Sequence, residues 1–149
     1  MLAIDFLPLR LPGQGALAIT VASGQKLGAE GSKLDQKLQG ALKRAMAGSS
    51  FTGAAEQVLA VLAPANMKLS RILLVGIGDE NKADEMTMQR VGGMLYAALA
   101  GGKDTQATLL LDTHKELAIA PTQAAACIAY GARLRSYRFD KYRTKLKPE

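Results

Sequence analysis

The chain has 149 residues, 48% apolar and 5% aromatic, with one cysteine and a formal net charge of +6. That length and apolar content fit one domain with one packed core and exclude a disordered tract. The lone Cys127 excludes an internal disulfide and fits a reducing compartment, and no apolar run approaches the ~20 residues that span a bilayer.

The opening Met-Leu-Ala-Ile-Asp-Phe-Leu-Pro has no cationic stretch followed by a long apolar one, so no signal peptide and a soluble, cytoplasmic protein are expected. Leu2–Leu7 and Ala16–Ala22 are short, apolar and bounded by Pro or Gly. They read as two strands joined by the turn-rich 9–15 segment. Ser32 with Asp35 three residues on reads as a capping box. Behind it Leu34, Leu38, Ala41, Leu42, Ala45 and Met46 recur at helical spacing, and Gly48 ends the pattern.

Gln57–Leu62 and Arg71–Ile77 read as a third and a fourth strand. The unbroken Ile72–Val75 run suits a strand covered on both faces. A second helix is expected from about Asp84 to Ala100. Met88, Val91, Leu95, Ala98 and Leu99 lie on its buried side, Gly92 and Gly93 permit close packing, and Gly101-Gly102 closes it. Thr108–Leu111 reads as a fifth strand. Pro121 suits the first turn of a last helix, along which Cys127, Tyr130, Leu134 and Tyr137 recur at helical spacing. Strands alternating with helices predict an α/β fold, a three-layer α/β/α sandwich, with a mixed sheet if the opening strand pair is antiparallel.

The charge is unevenly placed. Residues 133–149 hold seven cations and two anions, whereas the other 132 residues hold 12 and 11. The basicity therefore belongs to a tail and weakens any case for a nucleic-acid-binding face on the domain. The tail's tyrosines and cations suit either base stacking or packing on a neighbouring domain.

Candidate chemistry is sparse. Val75-Gly-Ile-Gly-Asp79 lies between a strand and a helix, so Gly76 and Gly78 are a weak phosphate-loop candidate. Position 81 is Asn rather than a third glycine, and no Gly-Lys-Ser/Thr follows, which favours a tight turn. The single His114 in Asp112-Thr-His-Lys-Glu116 has no cysteine partners for zinc and no marked nucleophile, and reads as a solvated loop residue. Cys127, among alanines, reads as a small hydrophobe rather than a nucleophile. Asp79, Glu80, Asp84 and Glu85 read as carboxylates favoured at a helix N-terminus rather than as metal ligands.

Several segments, in order, carry a resemblance. They are Gly48-Ser-Ser-Phe-Thr-Gly53, Arg71-Ile-Leu-Leu-Val-Gly-Ile-Gly78, Arg90-Val-Gly-Gly-Met-Leu-Tyr-Ala97 and, most of all, Gly131-Ala-Arg-Leu-Arg-Ser-Tyr-Arg-Phe-Asp-Lys-Tyr142. Together they resemble the N-terminal domain of the M17 leucyl aminopeptidase (cytosol aminopeptidase) family, across essentially the whole chain.

The resemblance implies a macro-domain-like fold and a non-catalytic domain over residues 1–149. About 131–149 would lead toward a C-terminal metallopeptidase domain. In the family that second domain holds two divalent metals, zinc, manganese or magnesium, bridged by the attacking water. Its hallmark Lys in a Thr-Phe-Asp-Ser-Gly-Gly context and its Asn-Thr-Asp-Ala-Glu-Gly-Arg run occur nowhere in these residues. The resemblance thus carries over no catalytic and no metal-binding residue, and the chain alone is expected to lack peptidase activity. It implies a structural role: packing on the catalytic domain, with Tyr137, Phe139 and Tyr142 between the two, within a cytoplasmic homohexamer. That parent releases N-terminal residues, leucine among them, from peptides. The alternative is a stand-alone macro-like module that binds a nucleotide through Gly76 and Gly78, or nucleic acid through the tail, although a fold does not itself confer a function.

Overall fold

The computed structural model describes residues 2–112 and 114–137. Its central element is β1 (Gly15–Ala22), buried throughout from Ala16 onward. On one side β1 pairs in parallel with β4 (Leu69–Gly78). A strand has only one other edge, and two short strands share it. These are β5 (Ala107–Leu110), parallel along Ala16–Ile19, and β2 (Lys26–Leu27), antiparallel at Val21 and Ala22. Beyond β4 lies β3 (Val58–Leu62), antiparallel to it.

Alternation along the strands separates two cores. Leu17, Ile19, Val21, Ile72 and Leu74 pack with Leu34, Leu38, Leu42, Met46 and Phe51 around α1 (Ala29–Lys37) and α2 (Ala41–Ala47). Ala18, Ala22, Leu73, Val75 and Ile77 pack with Met88, Val91, Leu95 and Ile128 of α3 (Glu85–Ala100) and α4 (Pro121–Ser136). The fold is a three-layer α/β/α sandwich on a mixed sheet, as the sequence leads one to expect.

The antiparallel strands are not the expected ones. Leu2–Leu7 form no strand, and Phe6 and Leu7 are each 67% exposed. With both edges of β1 occupied, no ladder remains for them beside it; β2 and β3 supply the antiparallel pairing instead.

The expected first helix is two helices, broken where Gln39 (φ 55°) and Gly40 (φ 79°) enter the left-handed region. Ser32 is not its cap. The Ser32 N–H already bonds to the Gly28 carbonyl inside α1. The α1 N-terminus is capped across the fold by Asp112, whose carboxylate accepts from the Glu30 (2.9 Å) and Gly31 (2.7 Å) N–H groups. Asp35, the other half of the expected box, is buried and accepts from the Leu42 and Lys43 N–H groups at the start of α2. Each carboxylate satisfies donors that a helix start leaves orphaned, but in tertiary rather than local fashion.

The later helices begin where expected. Asp84 caps α3 by accepting from the Thr87 N–H at 2.9 Å, and Pro121 stands in the first turn of α4. At the foot of β4, the Arg71 Nε donates to Asp104 (2.9 Å) and its Nη1 to the Ala98 carbonyl, tying the strand to the segment after α3.

Rotation of α4 departs from the Cys127–Tyr130–Leu134–Tyr137 stripe. The buried residues are Ala124, Ile128 and Gly131. The reason is backbone contact between the helices. A Cβ on Gly92 would lie 1.9 Å from the Ile128 carbonyl oxygen, and one on Gly131 would lie 1.9 Å from that of Gln89. A Cβ on Gly93 would meet nothing closer than 3.8 Å. Gly92→Ala or Gly131→Ala should therefore destabilise the fold by roughly 2 kcal/mol, because overpacking outweighs the helix-propensity gain. Gly93→Ala should be neutral or stabilising by up to about 1 kcal/mol. Urea unfolding midpoints of the three variants check the order.

Candidate functional site

The parallel strands β1 and β4 end together at Ala22 and Gly78, β5 stops earlier beside Ile19, and the loops beyond their carboxyl ends carry most of the polar candidates. That is where open α/β sheets hold ligands. Gly76 and Gly78 close β4. Their N–H groups donate to the Gln57 carbonyl (2.8 Å) and the Gly53 carbonyl (2.9 Å). A Cβ on Gly76 would fall 2.0 Å from the Ala54 oxygen, and Gly78 adopts φ 73°. Both glycines thus let the 53–57 segment lie against the end of β4, and their backbone donors are already engaged there.

His114 is not a solvated loop residue. Its side chain is 2% exposed, its Nε2 lies 3.0 Å from the Thr20 hydroxyl, and its Nδ1 lies 3.8 Å from the Glu80 carboxylate. Thr20 is the one polar side chain among the otherwise apolar residues 16–22 of β1, and it faces the α3/α4 layer. A buried hydroxyl needs a partner, and His114 in the loop after β5 supplies it. The Ala118 N–H also donates to the Glu80 carbonyl at 3.0 Å. Together these contacts tie the loop after β5 to the loop after β4. The sequence signal for this cluster was Thr20 itself, a polar residue inside a strand that reads as fully buried.

The remaining candidates disperse. Asp84 and Glu85 sit at the start of α3, and Glu85 accepts from Gln123 at the start of α4. Asp79 pairs with Lys82 at 3.6 Å, both well exposed. Hydrogen bonds from Thr87, the backbone N–H first, hold the Asp84 carboxyl below its ordinary value of 3.8. Cys127 is half-buried; desolvation, then the nearby Glu85 charge, pushes its thiol upward, away from thiolate chemistry. Among the described residues, no three His, Cys, Asp or Glu side chains converge as a metal-binding group would require. A shallow groove runs past Lys82, Asp84, Glu85, Ile119 and Gln123, where the two helix starts meet.

At the other end of α4, Tyr137 is 70% exposed. Phe139, Tyr142 and the tail cations from Arg138 onward lie outside the described residues. No described helix is long and apolar enough to cross a membrane.

Fold and loops define an α/β/α domain with a mixed sheet whose polar groups mostly serve its own loops and helix starts. Residues 18–146 match the model of the cytosol aminopeptidase family, N-terminal domain, and the chain belongs to that family. A probable cytosol aminopeptidase of Rhodopseudomonas palustris (strain TIE-1) is 34% identical over 146 residues. The match covers 98% of this chain and 29% of that protein. One from Caulobacter vibrioides is 33% identical over 148 residues, with 98% and 29% covered. The chain thus spans under a third of the curated relatives it matches.

Among solved structures, a tomato leucine aminopeptidase mutant superimposes with a TM-score of 0.72 at 22% identity, over 97% of this chain and 29% of that one. The bottromycin maturation enzyme BotP, in complex with Mn, gives 0.61 at 24% identity, over 88% and 25%. At these identities the structural likenesses speak for the fold.

Two outcomes follow from the loop geometry. His114→Ala removes the partner of a buried hydroxyl and leaves a void, so it should cost on the order of 2 kcal/mol in urea unfolding. Asp84 has a lowered folded pKa. Its contribution should be complete above pH 3.8 and lost as the pH falls through the folded value. Asp84→Ala should thus lower the Tm at neutral pH and flatten its acid limb below that value, as thermal scans between about pH 2 and 7 would show.

Proposed function

We propose that this chain is the non-catalytic N-terminal domain of a leucyl aminopeptidase, with a structural and assembly role. One observation carries the reading: the family's N-terminal-domain model matches residues 18–146, while the chain covers only 29% of a relative such as the R. palustris aminopeptidase. The remaining length of such relatives is where a catalytic domain would lie. In this reading the parent activity is release of N-terminal residues, leucine among them, from peptides in the cytoplasm. Two divalent metals, zinc, manganese or magnesium, supply a polarised attacking water in that second domain, within a homohexamer. The domain given by residues 1–149 contributes packing surface and subunit arrangement, and none of its residues is assigned to catalysis or metal binding.

The fold is consistent with such a role. The buried polar groups Asp35, Asp112, Thr20 and His114 all bond within the domain. The purified chain should release no p-nitroaniline from Leu-p-nitroanilide with Mn2+, and the same chain fused ahead of the catalytic portion of the R. palustris relative should do so. Turnover by the chain alone at a rate comparable to the fusion would overturn the reading.

A further inference from the structure

β3 is the last strand on its side of the sheet. It pairs with β4, and no described strand lies beyond it. The ladder decides which of its backbone groups face that open edge. Carrying the register one residue past each end sets 57 opposite 76 and 63 opposite 70. There the Gly76 N–H donates to the Gln57 carbonyl (2.8 Å), and the Ala63 N–H donates to the Ser70 carbonyl (3.0 Å). Bonding alternates along an antiparallel pair, so residues 57, 59, 61 and 63 turn toward β4. The N–H and C=O groups of Val58, Ala60 and Leu62 therefore turn outward.

The side chains alternate as well. Leu59 and Val61 are half-buried against the α1/α2 core. Val58, Ala60 and Leu62 stand on the other face and are exposed, and Leu62, at 72%, is the most exposed large apolar residue among those described. Sheet edges are commonly protected by a charge, a proline or a bulge. Val58-Leu-Ala-Val-Leu62 has none of these, and its register with β4 is unbroken. Such an edge is a template for another strand.

The strand is complementary to itself. A two-fold axis through Ala60 sets Ala60 opposite the partner's Ala60, Val58 opposite the partner's Leu62 and Leu59 opposite the partner's Val61. Every cross-strand pair is then apolar. The same register brings each outward N–H onto an outward carbonyl, because Val58, Ala60 and Leu62 face only one another. A slip of one residue would set outward groups against inward ones. A slip of two would bring in Glu56 (φ 69°) on one side, or Pro64, beyond the left-handed Ala63 (φ 43°), on the other. In the unslipped register Glu56 lies opposite Pro64, so no like charges meet.

We propose that the outer edge of β3 is the interface with a second copy of this chain, paired antiparallel about Ala60 so that one sheet runs through both domains. The inference stands on the strand itself and does not need the chain to be part of an aminopeptidase, so its failure leaves that reading untouched. Five residues a side make a small contact, and the dimer should form at roughly 0.1–1 mM protein rather than at micromolar concentration.

Amide hydrogen exchange by NMR, with sedimentation of the same samples of the whole 149-residue chain, tests it. On concentration the mass should rise toward twice the 15.7 kDa of the chain. The Val58, Ala60 and Leu62 amides should then exchange at least about ten-fold more slowly, whereas those of Leu59 and Val61, held by β4, should be protected throughout. Leu62→Lys should abolish the dimer and leave the Tm of the dilute chain unchanged, since Leu62 is exposed there. Ala60→Pro should do the same to the dimer, because the N–H it removes faces outward and serves no bond to β4.

A chain that stays monomeric across this range overturns the interface. So does a dimer in which the three outward amides still exchange fast, or one that survives both substitutions, because its contact lies elsewhere. Protection of the three amides in the dilute monomer overturns it in favour of this chain's own residues as the cover of the edge.

Discussion

The burial of β1 on both faces and along both edges is the constraint from which the remaining structure follows. A strand in that position must be apolar on both sides, because neither face meets water. Leu17, Ile19 and Val21 fill one core and Ala18 and Ala22 the other. The same constraint excludes residues 2–7 from a ladder with β1, since β4 holds one edge and β5 with β2 the other. It also makes Thr20 costly unless paired, which draws His114 and the loop after β5 down onto the end of the sheet.

The second determinant is the approach of α3 and α4. Two glycines, Gly92 and Gly131, allow backbone to touch backbone. This fixes which side of α4 is buried at Ala124, Ile128 and Gly131, and which is left outward at Tyr130, Leu134 and Tyr137. Helical spacing alone picked out the Cys127–Tyr130–Leu134–Tyr137 stripe on α4. Its large side chains, Tyr130, Leu134 and Tyr137, are the exposed ones, because close helix packing favours absent side chains over large ones.

The polar interior shows how local signals mislead. Ser32 and Asp35 have the spacing of a capping box, yet neither caps α1. Asp112 does so from 81 and 82 residues away, and Asp35 serves α2. A carboxylate satisfies helix N–H groups equally well from the same turn or from another strand's end, so sequence spacing cannot decide which one reaches them. His114 is similar. Its neighbours Asp112, Lys115 and Glu116 give the loop a solvated composition, but Asp112 and His114 point inward.

By itself the sequence determined the class of the fold, the β3, β4 and β5 strands to within a few residues, the capped start and glycine end of α3, and the family, through motifs such as those at 71–78 and 131–142. These are properties of local periodicity, turn chemistry and motif order, which a linear reading contains. Tertiary structure alone decided which strands lie antiparallel, where the first helix breaks, which carboxylates cap helices, that His114 is buried, and which stripe of α4 faces outward. Each of those depends on what occupies the opposite side of a strand, a helix or a loop, and for His114 and the cap of α1 that neighbour lies more than eighty residues away in the chain.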